Sequence, residues 1–147
     1  MRYFIGNWKM FGVPKSINIL KKINFFYSKD KKRSNYRIII TPPYTLIGEY
    51  SKHFKKKKIQ IGSQNCYHKD LFSSNTGAVS PFMLKKSGAT YTLIGHSDNR
   101  GEGDTDKLLK NKVKFSLKNN LKIVFCIGES KKQKKNNQTQ KVLKNQL

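Results

Sequence analysis

Two short motifs, far apart in the chain, carry polar side chains of the kind that do chemistry: Asn7-Trp8-Lys9 and Gly95-His96-Ser97. Each follows a short apolar run, residues 3–5 and 91–94, that reads as a β-strand. Each motif therefore falls where a strand stops, and in a parallel sheet the carboxyl ends of the strands share one rim. A lysine there supplies a compact cation. A histidine supplies a donor or proton carrier near neutral pH. Converging on one rim, they suit an anionic, carbonyl-bearing small molecule. Neither tripeptide would carry that reading alone; their order, on repeated βα units, does.

The elements that must position these residues follow from apolar patterning. Runs at 3–5, 37–41, 59–61, 91–94 and 123–127 are continuously apolar, which predicts strands buried on both faces. Residues 16–26 predict a helix with Ile19, Leu20, Ile23 and Phe26 on one face, Pro14 and Ser16 marking its start. Residues 105–117 predict another, with Leu108, Leu109, Val113 and Leu117 together and an acidic first turn. Pro81 after Ser80 predicts a short helix over 81–86, and Thr41-Pro42-Pro43 stops the second strand. A polar, lysine-rich helix is expected at 139–147. Repeating βα units predict an α/β fold with a parallel sheet. About five units form one partial domain over residues 1–147. They are too few to close an eight-stranded (β/α)8 barrel, which leaves strands one and five as open edges.

Composition narrows the classes. The 147 residues are 36% hydrophobic and 12% aromatic, which fits a folded domain rather than a disordered chain. The net charge of +23 raises a nucleic-acid role. Of the 31 basic residues, however, only Arg2, Arg33, Arg37 and Arg100 are arginine, the residue that reads bases and forks onto phosphates. The lysines are scattered among asparagine and isoleucine, the signature of coding bias. A basic nucleic-acid-binding protein is thus the weaker alternative. The lysine runs at 55–58 and 131–137 read as solvated surface. Cys66 and Cys126 form no CxxC, which suits a reduced cytoplasmic setting. No leader and no apolar stretch long enough for a membrane span is evident. His53 and His68 lack partners at metal spacing, so no metal and no cofactor are expected.

The motifs resemble the triosephosphate isomerase family. Residues 6–10 (GNWKM) are similar to that family's opening strand end, residues 63–65 (SQN) and 75–80 (NTGAVS) to its third loop, and residues 91–100 (YTLIGHSDNR) to the segment bearing its histidine. Residues 125–129 (FCIGE) resemble its fifth strand, and Thr139, Val142 and Gln146-Leu147 its next helix. The likeness runs the length of the chain but reaches only about five-eighths of the family's barrel. It implies a cytoplasmic glycolytic and gluconeogenic enzyme that interconverts dihydroxyacetone phosphate and glyceraldehyde 3-phosphate through an enediolate. By the same resemblance, His96 is the electrophile, Lys9 holds substrate phosphate and developing charge, and Asn7 orients Lys9. Ser97, Asp98 and Cys126 support the site, and Thr76 tips a loop that reaches a partner in a homodimer. Trp8 packs near the first loop.

The departures matter. The family's base is a glutamate on a sixth strand followed by a lid. The acidic residues here are Asp30, Glu49, Asp70, Asp98, Glu102, Asp104, Asp106 and Glu129. The expectation is a truncated chain that needs a complementary C-terminal half for turnover, the alternative being an inactive remnant. Asp98 shortens a family glutamate, and so does Asp104. Asn99 and Ala78 replace an arginine and a glutamate that pair across the family's dimer. Losing both avoids stranding one charge.

Overall fold

The computed structural model describes residues 1–54 and 59–147, so the 55–58 lysine run lies outside the described residues. Five strands form one sheet in chain order: β1 (Arg2–Asn7), β2 (Tyr36–Thr41), β3 (Gln60–Ser63), β4 (Tyr91–Ile94) and β5 (Lys122–Phe125). Every neighbouring pair is parallel, with Asn7 opposite Thr41 and Ile94 opposite Phe125. That register levels the strand ends, and it is why motifs distant in sequence can share a rim. Helices alternate with the strands: α1 (Ile17–Lys29), α2 (Tyr44–Phe54), α3 (Pro81–Lys86), α4 (Ser97–Gly101), α5 (Asp106–Lys118), α6 (Lys131–Lys135) and α7 (Thr139–Gln146). The product is an α/β half-barrel of parallel strands.

The core lies between sheet and helices. Leu20, Ile40, Ile47, Tyr50, Ile61, Leu84, Ile94, Leu109 and Leu121 belong to one buried cluster. Ile39 and Leu93, one residue off in the pleat, are buried on the opposite face. Side-chain caps begin four of the helices, α3, α4, α5 and α6; Ser80 accepts from the Met83 N–H, and Thr105 from the Leu108 N–H. At the far end, Gln146 exchanges two hydrogen bonds with the Gly128 backbone, which docks α7 beside the end of β5.

Three expectations change. Burial on both faces holds for β4 but not for β1, whose Tyr3 and Phe4 are more than half exposed. A strand with one neighbour cannot be covered as a central strand is. On α1 the inward stripe is Leu20 and Tyr27 with Ile17 and Ile23, while Ile19 and Phe26 face outward. Tyr27 decides this, because its hydroxyl donates to the Tyr36 carbonyl at 2.9 Å. On α5, Leu109 and Val113 pack inward as expected, but Leu117 is exposed and Lys112 and Ser116 are buried in its place. Lys112 can be buried because Asp104 meets its ammonium at 2.6 and 2.8 Å. No helix is expected over 44–54, yet α2 forms there on a stripe of Leu46, Ile47, Tyr50 and Phe54.

Candidate active site

The first half of the rim is built by the loop that leaves β1. The Trp8 N–H donates to the Thr41 carbonyl at 3.1 Å, and the Phe11 N–H returns to the Trp8 carbonyl at 3.2 Å. The Trp8 ring meets Tyr50 edge-on at 5.9 Å, and the Tyr50 hydroxyl donates to the Val13 carbonyl at 3.0 Å. Gly12 makes this packing possible: at φ +114° it sits where a Cβ would come within 2.8 Å of the indole. Lys9 is thereby presented from a loop pinned to α2. The Lys9 N–H donates to Asn7 Oδ1 at 2.9 Å, so Asn7 does touch Lys9, through its backbone.

The second half is built where β4 ends. Gly95 takes φ +76°, and a Cβ there would press on Arg100 Nη2 at 2.9 Å and the Cys126 carbonyl at 3.0 Å. Arg100 fills that space. Its Nε donates to the Gly95 carbonyl at 2.8 Å and its Nη2 to the Cys126 carbonyl at 3.3 Å, which ties the ends of β4 and β5 together. His96 then caps α4, its Nδ1 accepting the Asp98 N–H at 3.2 Å. With Nδ1 turned to the α4 backbone, Nε2 is the ring nitrogen that remains for a ligand.

The two halves meet through Asp98. Its Oδ2 lies 3.2 Å from Lys9 Nζ and 3.5 Å from His96 Nδ1. Both members of the Lys9–Asp98 pair are more than half exposed. Such pairs contribute about 0–1 kcal/mol, so an arriving anion can readily take the lysine. Around them lies an open cavity of about 510 Å3 lined by Asn7, Lys9, Gln64, His96, Asp98 and Glu102, among others. That volume accommodates a small metabolite.

Of the residues expected at the site, Asn7, Lys9, His96 and Asp98 line this cavity, and so does Asn99. Ser97, Cys126 and Thr76 do not. Ser97 opens α4 and is exposed. Cys126 is half-buried, its N–H donating to the Ile94 carbonyl at 2.8 Å. Burial pushes its thiol up, against the pull of Arg100, so it is a poor nucleophile at neutral pH. Thr76 is exposed in a turn closed by the Ala78 N–H to the Asn75 carbonyl at 3.2 Å. Local sequence assigns no functional role to Gln64, Arg100 or the Asp104–Lys112 pair. A glutamine after a strand and a lysine in a helix have no distinctive local pattern. No group of three His, Cys, Asp or Glu side chains among the described residues could hold a metal, and no helix among them is long and apolar enough to cross a membrane.

A half-barrel of parallel βα units, with cation and histidine on the strand-end rim, places the chain among parallel (β/α) barrel proteins. The family model described as triosephosphate isomerase matches residues 2–147. The chain belongs to the triosephosphate isomerase family. It is 36% identical over 148 residues to the triosephosphate isomerase of Debaryomyces hansenii, covering 99% of this chain and 58% of that protein. Against that of Herpetosiphon aurantiacus it is 32% identical over 144 residues, with 97% and 56% covered. The crystal structure of the Bartonella henselae triosephosphate isomerase superposes with a TM-score of 0.91 at 32% identity, over 99% of this chain and 59% of that one. The chain thus spans little more than half the length of these relatives.

Proposed function

We propose that this chain supplies the cation-and-electrophile half of a triose-phosphate isomerase site. One observation carries the reading: Lys9 and His96, from opposite ends of the sequence's first four strands, line one cavity and share Asp98. In the proposed reaction a base removes a proton from the carbon beside the substrate carbonyl. The electron pair moves toward the carbonyl oxygen, giving an enediolate. His96 Nε2–H polarises that oxygen, and Lys9 leaves Asp98 to hold the phosphate and the developing charge. The carboxylates lining the cavity are Asp98, engaged by Lys9, and Glu102. We assign the carbon base to neither. It comes in this reading from a complementary segment of βα units, which would also cover the exposed face of β1. A second copy would dock on the exposed apolar loops that hold Met10, Phe11, Leu71 and Phe72.

The test is turnover of glyceraldehyde 3-phosphate by the 147-residue chain, alone and mixed with the part of the Bartonella henselae enzyme that has no counterpart here. Turnover only on mixing, lost in His96→Ala, is the expected result. Turnover by the chain alone that is lost in His96→Ala would overturn the assignment of the base elsewhere. Silence in both, from folded protein, would favour an inactive remnant.

A further inference from the structure

Three described residues other than glycine have a positive φ: Lys9 at 50°, and Asn120 and Asn137 at 55° each. The two asparagines stand just past the ends of α5 and α6, where a left-handed residue closes a helix and asparagine tolerates the conformation. Lys9 has neither excuse. Its side chain carries a Cβ that the left-handed region disfavours, and it ends no helix. A long side chain is held there only if the surroundings over-determine it.

The surroundings do. The Lys9 N–H is held by Asn7 Oδ1 at 2.9 Å, a contact two residues away that a local turn can form by itself. The Lys9 carbonyl accepts from Gln64 Nε2 at 2.8 Å. The same nitrogen donates its other hydrogen to the Thr41 carbonyl at 2.9 Å. Thr41 is fully buried, and its carbonyl also takes the Trp8 N–H. Gln64 is therefore a strut from the fixed end of β2 to the strained residue. It makes the one long-range hydrogen bond to the Lys9 backbone among the described residues. The side-chain amide is fully committed on its donor side, and the residue sits on the cavity wall.

We propose that Gln64 is a positioning residue: its amide locks Lys9 in the left-handed conformation that aims the ammonium into the rim cavity. Without the strut, the Lys9 peptide relaxes toward negative φ. The Cα–Cβ direction then swings away from His96 and Asp98. The consequence for substrate rests on the reading of Lys9 as the phosphate-holding cation; the conformational claim does not.

The test uses the full chain and Gln64→Met, which keeps length and loses both donors. The first readout, without ligand, is the intraresidue amide-to-Hα nuclear Overhauser cross-peak of Lys9, strong only at positive φ. The second is affinity for dihydroxyacetone phosphate. Gln64→Met is expected to weaken the cross-peak and lower affinity about tenfold or more. On a Lys9→Ala background the same change should cost no further affinity, which a merely structural role would not predict. If Gln64→Met does not fold, Gln64→Asn, one methylene short of both carbonyls, is read in the same way and is expected to move both readouts in the same direction. An unchanged cross-peak and unchanged affinity would overturn the proposal. Wild-type chain that binds no dihydroxyacetone phosphate would refute the substrate reading instead, and the cross-peak alone would still decide whether Gln64 sets Lys9.

Discussion

β1 and β4 are alike as sequences and opposite as structures. Each is short, largely apolar and followed by a motif of the rim. Yet all four residues of β4 are buried, while the first four of β1 are exposed. The difference is neighbours. β4 has β3 and β5 on its two edges, with α5 packed against it. β1 has only β2. An apolar run states a demand for burial; the rest of the fold meets it or leaves it open. The β4 side is therefore where the stability of this half-barrel resides, and the β1 side is where it waits for cover.

The sharpest way to break that comparison is the buried ion pair on the β4 side. Lys112 and Asp104 side chains are 6% and 9% exposed, and Lys112 also donates to Asn65 Oδ1 at 2.9 Å. Asp104→Ala strands the ammonium and is expected to cost about 3–5 kcal/mol in urea unfolding. Pairing Asp104→Leu with Lys112→Met should restore most of it, because the stranded charge is gone. A single change costing under about 1 kcal/mol would mean that water reaches the pair.

Next in size is a direct strand-for-strand contrast. Ile94→Ala in β4 removes a side chain 1% exposed and should cost about 2–5 kcal/mol. Tyr3→Ser in β1 removes one 54% exposed and should shift stability by about 0.5 kcal/mol or less, while reducing aggregation. Equal costs would show that β1 is covered in solution.

The smallest effect is a pH response on the β1 side. The Tyr36 hydroxyl donates to Asp30 Oδ2 at 2.6 Å, at the start of β2 where Phe4 stacks edge-on against Tyr36. That bond, with the Lys32 N–H, holds the Asp30 carboxyl below its usual 3.8. The carboxylate in turn pushes Tyr36 up to about 12. Asp30 thus adds stability above pH 3.8 that is lost as pH falls through its lower folded value. Tyr36 adds stability below pH 10.0 that is lost as pH rises toward 12. Tyr36→Phe should flatten both limbs in chemical denaturation across pH. An unchanged profile would remove this tie.

Much of the fold was legible. The five strands, their parallel sense and the short helix after Ser80 follow from continuous apolar runs, proline placement and the need for a helix between parallel strands. Lys9, His96, Asn7 and Asp98 were legible because they follow strand ends within motifs. The stripe on α1 was not: Ile19 and Phe26 satisfy helical periodicity as well as Leu20 and Tyr27 do, and only the Tyr36 carbonyl chooses between them. Lys112 was hidden for the converse reason, since a lysine reads as surface until a carboxylate from another segment meets it.

The sequence by itself determined the order of the strands, the family and the chemical types of side chain delivered to the rim. These depend on local spacing and on what each side chain is. Only the tertiary structure decided that Lys9 takes a positive φ with its carbonyl bonded to Gln64, that Asp98 joins Lys9 to His96, and that β1 stays open where β4 is sealed. Each of these depends on partners brought together by the parallel register of the strands, and a hydrogen bond or an empty edge across that register leaves no mark in the residues beside it.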